Sequence, residues 1–226
     1  MSTKGKAYLE QIEKYYSRKL SSFSLIELGM TPEILVEHGA PRLPLVMRQS
    51  TLTKCIRKTT GSRSAHNLPR SVIEALPEQI SNPIFLIQDK NRNSIALISD
   101  AEDRNGNKIL TAILLDTMQH ENRVNEVKSI YGKTNLKEYL HKHIELNQLF
   151  VIDNKKAGML SRVLGLQLPM ALITSNFDKN IASVPPKVKN ENKSVLQTLH
   201  KHQKAVAEKQ TDSKHLEHQR ASQVER

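Results

Sequence analysis

His66 stands just ahead of Asn67-Leu68-Pro69, the approach to a stretch that reads as a helix, and Arg63 and Arg70 on either side of it are candidates to bind the phosphate of a nucleic acid. A helix N-terminus disfavours the imidazolium, so a histidine held there neutral has the form of a general base. The plainer reading is a histidine that caps or packs against the helix. Ser129-Ile130-Tyr131-Gly132-Lys133 is a second concentration. Its hydroxyl, phenol and amine recur at period two and share a face if the strand runs that far, and Gly132 lets the backbone pass close to a ligand. It reads equally as an ordinary strand end and turn. Arg48, Lys54, Arg57 and Lys58 make a cationic stretch on or near a short helix, suited to phosphate through bidentate or point-charge contacts, or simply a solvated face. The chemistry this set would serve is metal-free cleavage of RNA. That reaction needs a base for the 2′-hydroxyl, an acid for the leaving oxygen and cations for the phosphate.

Other chemistries find less in the chain. His141 with His143 and His200 with His202 have a spacing of two, which sends helical side chains to different faces. His215 with His218 has a suitable spacing but no acidic cluster beside it, so no metal is expected. There is no GxGxxG, GxxxxGK or GxSxG, and glycine occurs only 8 times, which disfavours a nucleotide cofactor and an elbow-type serine hydrolase. The single cysteine, Cys55, has no disulfide or CxxC partner and reads as a small buried apolar residue. No cofactor is expected.

The elements that must carry these residues fit within 226 residues, enough for one domain with appendages. Tyr8, Leu9, Ile12, Tyr15 and Tyr16 predict an amphipathic helix over 4–19, broken by the serines that follow. Thr31-Pro32-Glu33 supplies a cap, a first-turn proline and an acid for a short helix ending at Gly39. Leu43–Met47 reads as a strand, and Ser50 as the cap of a helix through Ile56. Val72, Ile73 and Leu76 give a helix that Pro77 breaks or restarts. Four strands follow around 84–87, 95–98, 109–115 and 123–131, the last twisted or bulged, joined by turns too short for crossover helices. A helix through Leu140, a strand at 149–152 and a helix over 155–163 close the domain. The fold expected is α+β: N-terminal helices, a four-stranded antiparallel meander, then a helix and a small strand.

Three parts are expected: an amphipathic helix and linker over 1–29, the α+β domain over 30–175, and a disordered basic tail over 176–226, which has too little apolar surface to offset ordering entropy. A net charge of +11 favours an anionic partner, although 4% aromatic residues and no Trp argue against an extended stacking platform. No apolar run approaches a membrane span and the start lacks a secretory apolar stretch, so no membrane contact and a cytoplasmic location are expected.

With those elements in place, TPEILVEHGAPRLPLVMRQSTLTK, HNLPRSVIEALPEQISNPIFLI, VNEVKSIYGKTN and LGLQLP, in order between Met30 and Pro169, resemble the phage MuF C-terminal domain family of phage and mobile-element polyvalent proteins. The resemblance implies the architecture of the barnase, EndoU, colicin and RelE group of metal-independent ribonucleases. It implies a toxin-like effector acting on RNA in the bacterial host cytoplasm, with His66 as general acid/base. Ser129 and Tyr131 would position or protonate the phosphate, and Lys133 with Arg48 or Lys54 would stabilise its charge. RNA is the implied partner, with DNA left open, beside an immunity or phage structural protein. The alternative is a non-catalytic module that binds nucleic acid or a phage structural partner.

Overall fold

The structure, a computed structural model, describes residues 3–21, 23–58, 66–89, 92–119 and 121–174. The tail expected over 176–226, Arg63 and the loop around it lie outside the described residues. In chain order the elements are α1 (Thr3–Tyr16), β1 (Leu25–Met30), α2 (Glu33–Glu37), β2 (Pro44–Arg48), α3 (Gln49–Ile56), α4 (Arg70–Glu74), α5 (Leu76–Ser81), β3 (Phe85–Asp89), β4 (Ser94–Glu102), β5 (Lys108–Gln119), β6 (Asn122–Gly132), α6 (Leu136–Glu145), β7 (Leu149–Val151), α7 (Asn154–Leu164) and α8 (Met170–Thr174).

The strands form one sheet in the order β1-β2-β6-β5-β4-β3-β7. The expected α+β class holds, and β3 to β6 are the antiparallel meander, each strand hydrogen-bonded to the next. The bulge expected in the fourth strand is present as register shifts between β5 and β6 at Ala112/Ile113 and Leu114/Thr117. The sheet is larger than the meander. β7 adds antiparallel to β3, and β2 adds parallel to β6, pairing Leu45–Met47 with Asn125–Val127. β1 was not expected. Only Ile26 and Leu28 turn inward before Gly29, at φ 108, shifts the register against β2. The outer edge of β1 is closed at Glu27, whose N–H donates to the Gln11 side chain at 3.0 Å while the Gln11 amide donates back to its carbonyl at 3.3 Å. An edge satisfied in this way offers less to a passing strand.

Period-two alternation divides the sheet's side chains between two clusters. Ile95, Leu97, Ile109, Ile113, Val127 and Ile130 join α1, α3, α4 and α5 on one face. Leu110, Ile98, Phe85 and Leu149 join α6 and α7 on the other, with Tyr131 packed at its margin. α1 buries Tyr8 and Ile12 in the first cluster, and the Tyr8 hydroxyl donates to the Ile73 carbonyl at 2.7 Å. The proline at position 77 separates α4 from α5 as its chemistry dictates.

Two expected caps are not made. Pro32, not Thr31, occupies the N-cap position of α2, and Arg48, not Ser50, that of α3. Thr31 is drawn elsewhere: its hydroxyl donates to the Leu43 carbonyl at 2.7 Å and accepts from the fully buried Asn125. α7 does have a side-chain cap, Asp153 accepting from the Lys156 N–H at 3.0 Å, and Gly165 at φ 59 ends it in the left-handed region.

Candidate functional site

The last turn of a helix leaves carbonyls without helical partners, and in α3 the returning chain takes them. The N–H of His66 donates to Lys54, that of Leu68 to Cys55 and that of Asn67 to the following Arg57, at 3.0, 2.8 and 3.1 Å. α3 is in turn tied to β6 by the Cys55 thiol, whose Sγ lies 3.6 Å from the Ile130 carbonyl. Cys55 is buried, and burial pushes its thiol up to about 12, so it packs and does not react. These bonds set His66 beside the end of β6. Its ring centre is 5.4 Å from that of Tyr131, with the planes inclined by 31°.

Burial lowers the His66 pKa, and the positive charge of Lys54 lowers it further. The direction is the one expected of a general base, but the cause is different. α4 begins at Arg70 with Pro69 as N-cap and no side-chain cap bond, so His66 neither caps that helix nor owes its neutrality to it. Tyr131 is shifted the other way: burial raises its phenol and keeps it protonated. The pair therefore combines an imidazole that favours its basic form with a phenol that favours its acidic form.

Gly132 serves a different neighbour from the one its sequence suggests. The Asp103 carboxylate fills the space a Cβ there would need. Asp103 accepts from the backbone N–H groups of Asn105 and Asn107, at 2.8 and 2.9 Å, and builds the β4–β5 turn. Burial opposes its charge, yet the bonds from Asn107 and Asn105 prevail and hold its carboxyl below the usual range. The next residue, Arg104, donates from Nε to the Asn67 carbonyl at 3.1 Å. Arg104 is thus a cation one residue from His66 that sequence reasoning missed. The Asp-Arg-Asn-Gly-Asn turn showed where the chain reverses, not what it would touch.

Lys133 lies with its Nζ 4.7 Å above the centre of the Tyr139 ring. Burial pushes the Tyr139 phenol up to about 12, with the neighbouring Tyr131 adding to the shift. Tyr139 meets His143 edge to face at 4.5 Å, and His143 Nδ1 is 2.7 Å from Gln148 Oε1. Tyr139 lies on the helix expected through Leu140, here α6. Its spacing of four from His143, just after the SIYGK run, is the signal that marks it.

The remaining candidates are placed as follows. Ser129 sits opposite Ala112 on β6, half-buried. Lys54 is exposed in the last turn of α3. Arg70 is engaged with α1 and its own helix: it pairs with Glu13 and, at 2.6 Å, with Glu74, and its guanidinium lies 4.5 Å over the Tyr16 ring. Arg48 pairs through Nε with the buried Glu126 at 3.0 Å. The structure therefore brings together His66, Tyr131 and Lys54, with Lys133 at the neighbouring tyrosine. Among the described residues no group of three His, Cys, Asp or Glu side chains is placed to hold a metal ion, and no helix is long and apolar enough to cross a membrane.

Residues 57–158 match the phage MuF C-terminal domain. No curated protein and no solved structure gives a match. The MuF C-terminal match begins at the end of α3 and finishes inside α7, so it takes in His66, the whole meander and the SIYGK run. Arg48, Lys54, β1 and β2 lie before it. Of the four motifs that carry the resemblance, HNLPRSVIEALPEQISNPIFLI and VNEVKSIYGKTN fall inside the matched segment and the other two outside.

Proposed function

We propose that this MuF C-terminal domain is a metal-independent ribonuclease, a toxin-like effector of a phage or mobile element that cleaves RNA in the bacterial host cytoplasm. The observation that carries the reading is the approach of His66 and Tyr131 to 5.4 Å, the imidazole biased to its neutral form and the phenol to its protonated one.

In this mechanism the His66 imidazole takes the proton of a ribose 2′-hydroxyl. The 2′-oxygen attacks the adjacent phosphorus and the P–O5′ bond breaks. The products are a 2′,3′-cyclic phosphate and a 5′-hydroxyl, whose oxygen receives the Tyr131 phenolic proton; solvent then returns a proton to Tyr131 and takes one from His66. Ser129 donates a hydrogen bond to a phosphate oxygen, and Lys54 and Lys133 offset the charge that builds on it.

A second reading, a module that binds RNA without cutting it, is favoured by the Lys133–Tyr139 pair, a cation and a ring beside the same site. One experiment separates the two. The purified protein is incubated with total bacterial RNA and with tRNA in EDTA, beside a His66→Ala variant. Cyclic phosphate ends produced by the wild type alone are the expected result. RNA left intact by the wild type overturns the nuclease and leaves the binding module.

A further inference from the structure

Away from His66, β6 carries a second charged cluster. Glu126 is 1% exposed, yet it is ionically paired twice through one oxygen: Arg48 Nε is 3.0 Å and Lys128 Nζ 3.1 Å from Oε1. Its other oxygen accepts from Gln119 Nε2 at 2.8 Å. One carboxylate for two cations leaves one positive charge over, and both cations are about half exposed, at 51% and 46%. Two nitrogens that share one oxygen at these distances lie at most about 6 Å apart, a separation one phosphate group spans with its oxygens.

Arg48 also lines a recess of about 320 Å³ with Leu25, Gln119 and Phe23. Phe23 is 84% exposed, a ring at the mouth of the recess that core packing does not explain. An exposed ring on the recess that Arg48 lines, with Lys128 bound to the same Glu126 oxygen as Arg48, is the combination that takes a base and its phosphate. From Lys128 to Tyr131 along β6 is three residues, about 10 Å of strand, with Ser129 between them. A strand of RNA cut at His66 would therefore pass this cluster.

We propose that Phe23, Arg48 and Lys128 form a subsite for one nucleotide of single-stranded RNA, the base stacked on Phe23 and the phosphate held between the two cations. Glu126 is its positioning residue. The proposal rests on the RNA reading above and extends it beyond the matched segment, since Phe23 and Arg48 precede residue 57.

The test is binding of a fluorescent 2′-O-methyl oligoribonucleotide, which has no free 2′-hydroxyl and cannot be cut, as a function of salt. Phe23→Ala is expected to weaken binding about tenfold. Lys128→Met and Arg48→Met should each weaken it and flatten the slope of log affinity against log salt by about 0.7, one phosphate contact. The doubly substituted Arg48→Met, Glu126→Gln protein, which withdraws the buried charge with its partner and keeps the cluster's net charge, guards against misfolding and should still bind more weakly than the wild type, because Lys128 alone is left to hold the phosphate. Glu126→Gln alone adds a positive charge, so a mere charge effect would tighten binding; weaker binding with a flatter slope is the result a positioning role requires. Wild-type affinity and slope in both Phe23→Ala and Lys128→Met overturn the subsite, even where His66-dependent cleavage persists. Binding that depends on Phe23 in a wild-type protein that cuts nothing keeps the subsite and overturns the ribonuclease.

Discussion

The carboxylate of Asp103 lies against the Cα of Gly132, in the space that any larger residue would need for its Cβ. This contact joins the β4–β5 turn to the end of β6, and the turn in turn reaches His66's neighbour through Arg104 and the Asn67 carbonyl. Gly132→Ala must therefore displace a carboxylate held by two backbone N–H groups and the Asn107 side chain. The expected cost is about 1–3 kcal/mol, the usual range for overpacking a filled site. Urea unfolding of the two proteins measures it, and a Gly132→Ala protein as stable as the wild type would show that the turn yields freely.

His66 gives a pH dependence whose sign is fixed by the lowering of its pKa in the fold. The unfolded chain binds a proton near the ordinary value of 6.5, whereas the folded chain resists it until lower pH. The stability this group contributes is present above 6.5 and is lost as pH falls toward and through the folded pKa. Cleavage that uses neutral His66 as base should keep its plateau below pH 6.5 and decline only in more acid solution. Lys54→Met removes the smaller of the two causes, so the His66 titration, followed by NMR, should move up toward 6.5 without reaching it. No movement would exclude Lys54 from the field at His66.

The meander was legible because its causes are local: apolar runs of strand length, separated by turns rich in Asn, Asp and Gly. The break between α4 and α5 was legible for the same reason, a proline. β1 was not, since its alternation amounts to Ile26 and Leu28 before a register shift at Gly29. The parallel pairing of β2 with β6 joins Leu45 to Asn125, and nothing in either segment names the other. The candidate site divides along the same line. His66 and Tyr131 were recognised by type, but their approach depends on α3 carbonyls accepting the returning chain. Arg70 looked like a phosphate ligand because Glu13, which pairs with it from α1, is 57 residues away in sequence.

Asn125 is fully buried at the centre of a network that sequence reading did not detect. Its Nδ2 donates to Thr31 Oγ1 at 2.7 Å and to the Pro41 carbonyl at 2.8 Å, and its Oδ1 accepts from the Asp116 N–H at 2.9 Å. The donation to the Pro41 carbonyl demands an amide N–H, and the Thr31 hydroxyl acts as an acceptor because its own hydrogen is given to the Leu43 carbonyl. Asn125→Asp keeps the shape but turns two donated bonds into confrontations between acceptors, with a carboxylate left buried. It should destabilise the protein by about 3 kcal/mol or more, whereas Asn125→Leu, which orphans the Asp116 N–H but leaves the Pro41 carbonyl its bond from the Leu43 N–H, should cost about 1–3 kcal/mol. Thermal unfolding at neutral pH compares them. The destabilisation by Asp should ease as the solution is acidified, because a protonated carboxyl regains one donor, and a deficit independent of pH would argue that the network has rearranged.

Tyr131→Phe separates the two roles the tyrosine holds. The ring that faces His66 is kept and only the phenolic oxygen is lost, so the packing at the margin of the α6–α7 cluster survives. If the phenol protonates the leaving 5′-oxygen, kcat should fall by about a hundredfold or more with KM nearly unchanged, since the lost interaction belongs to the transition state. A substrate with sulfur in place of the bridging 5′-oxygen offers a leaving group that departs without a proton. On that substrate Tyr131→Phe should recover most of the wild-type rate, while His66→Ala, which still lacks a base for the 2′-hydroxyl, should not. Equal defects of both variants on the sulfur substrate would remove Tyr131 from proton transfer and leave it the task of holding the His66 ring.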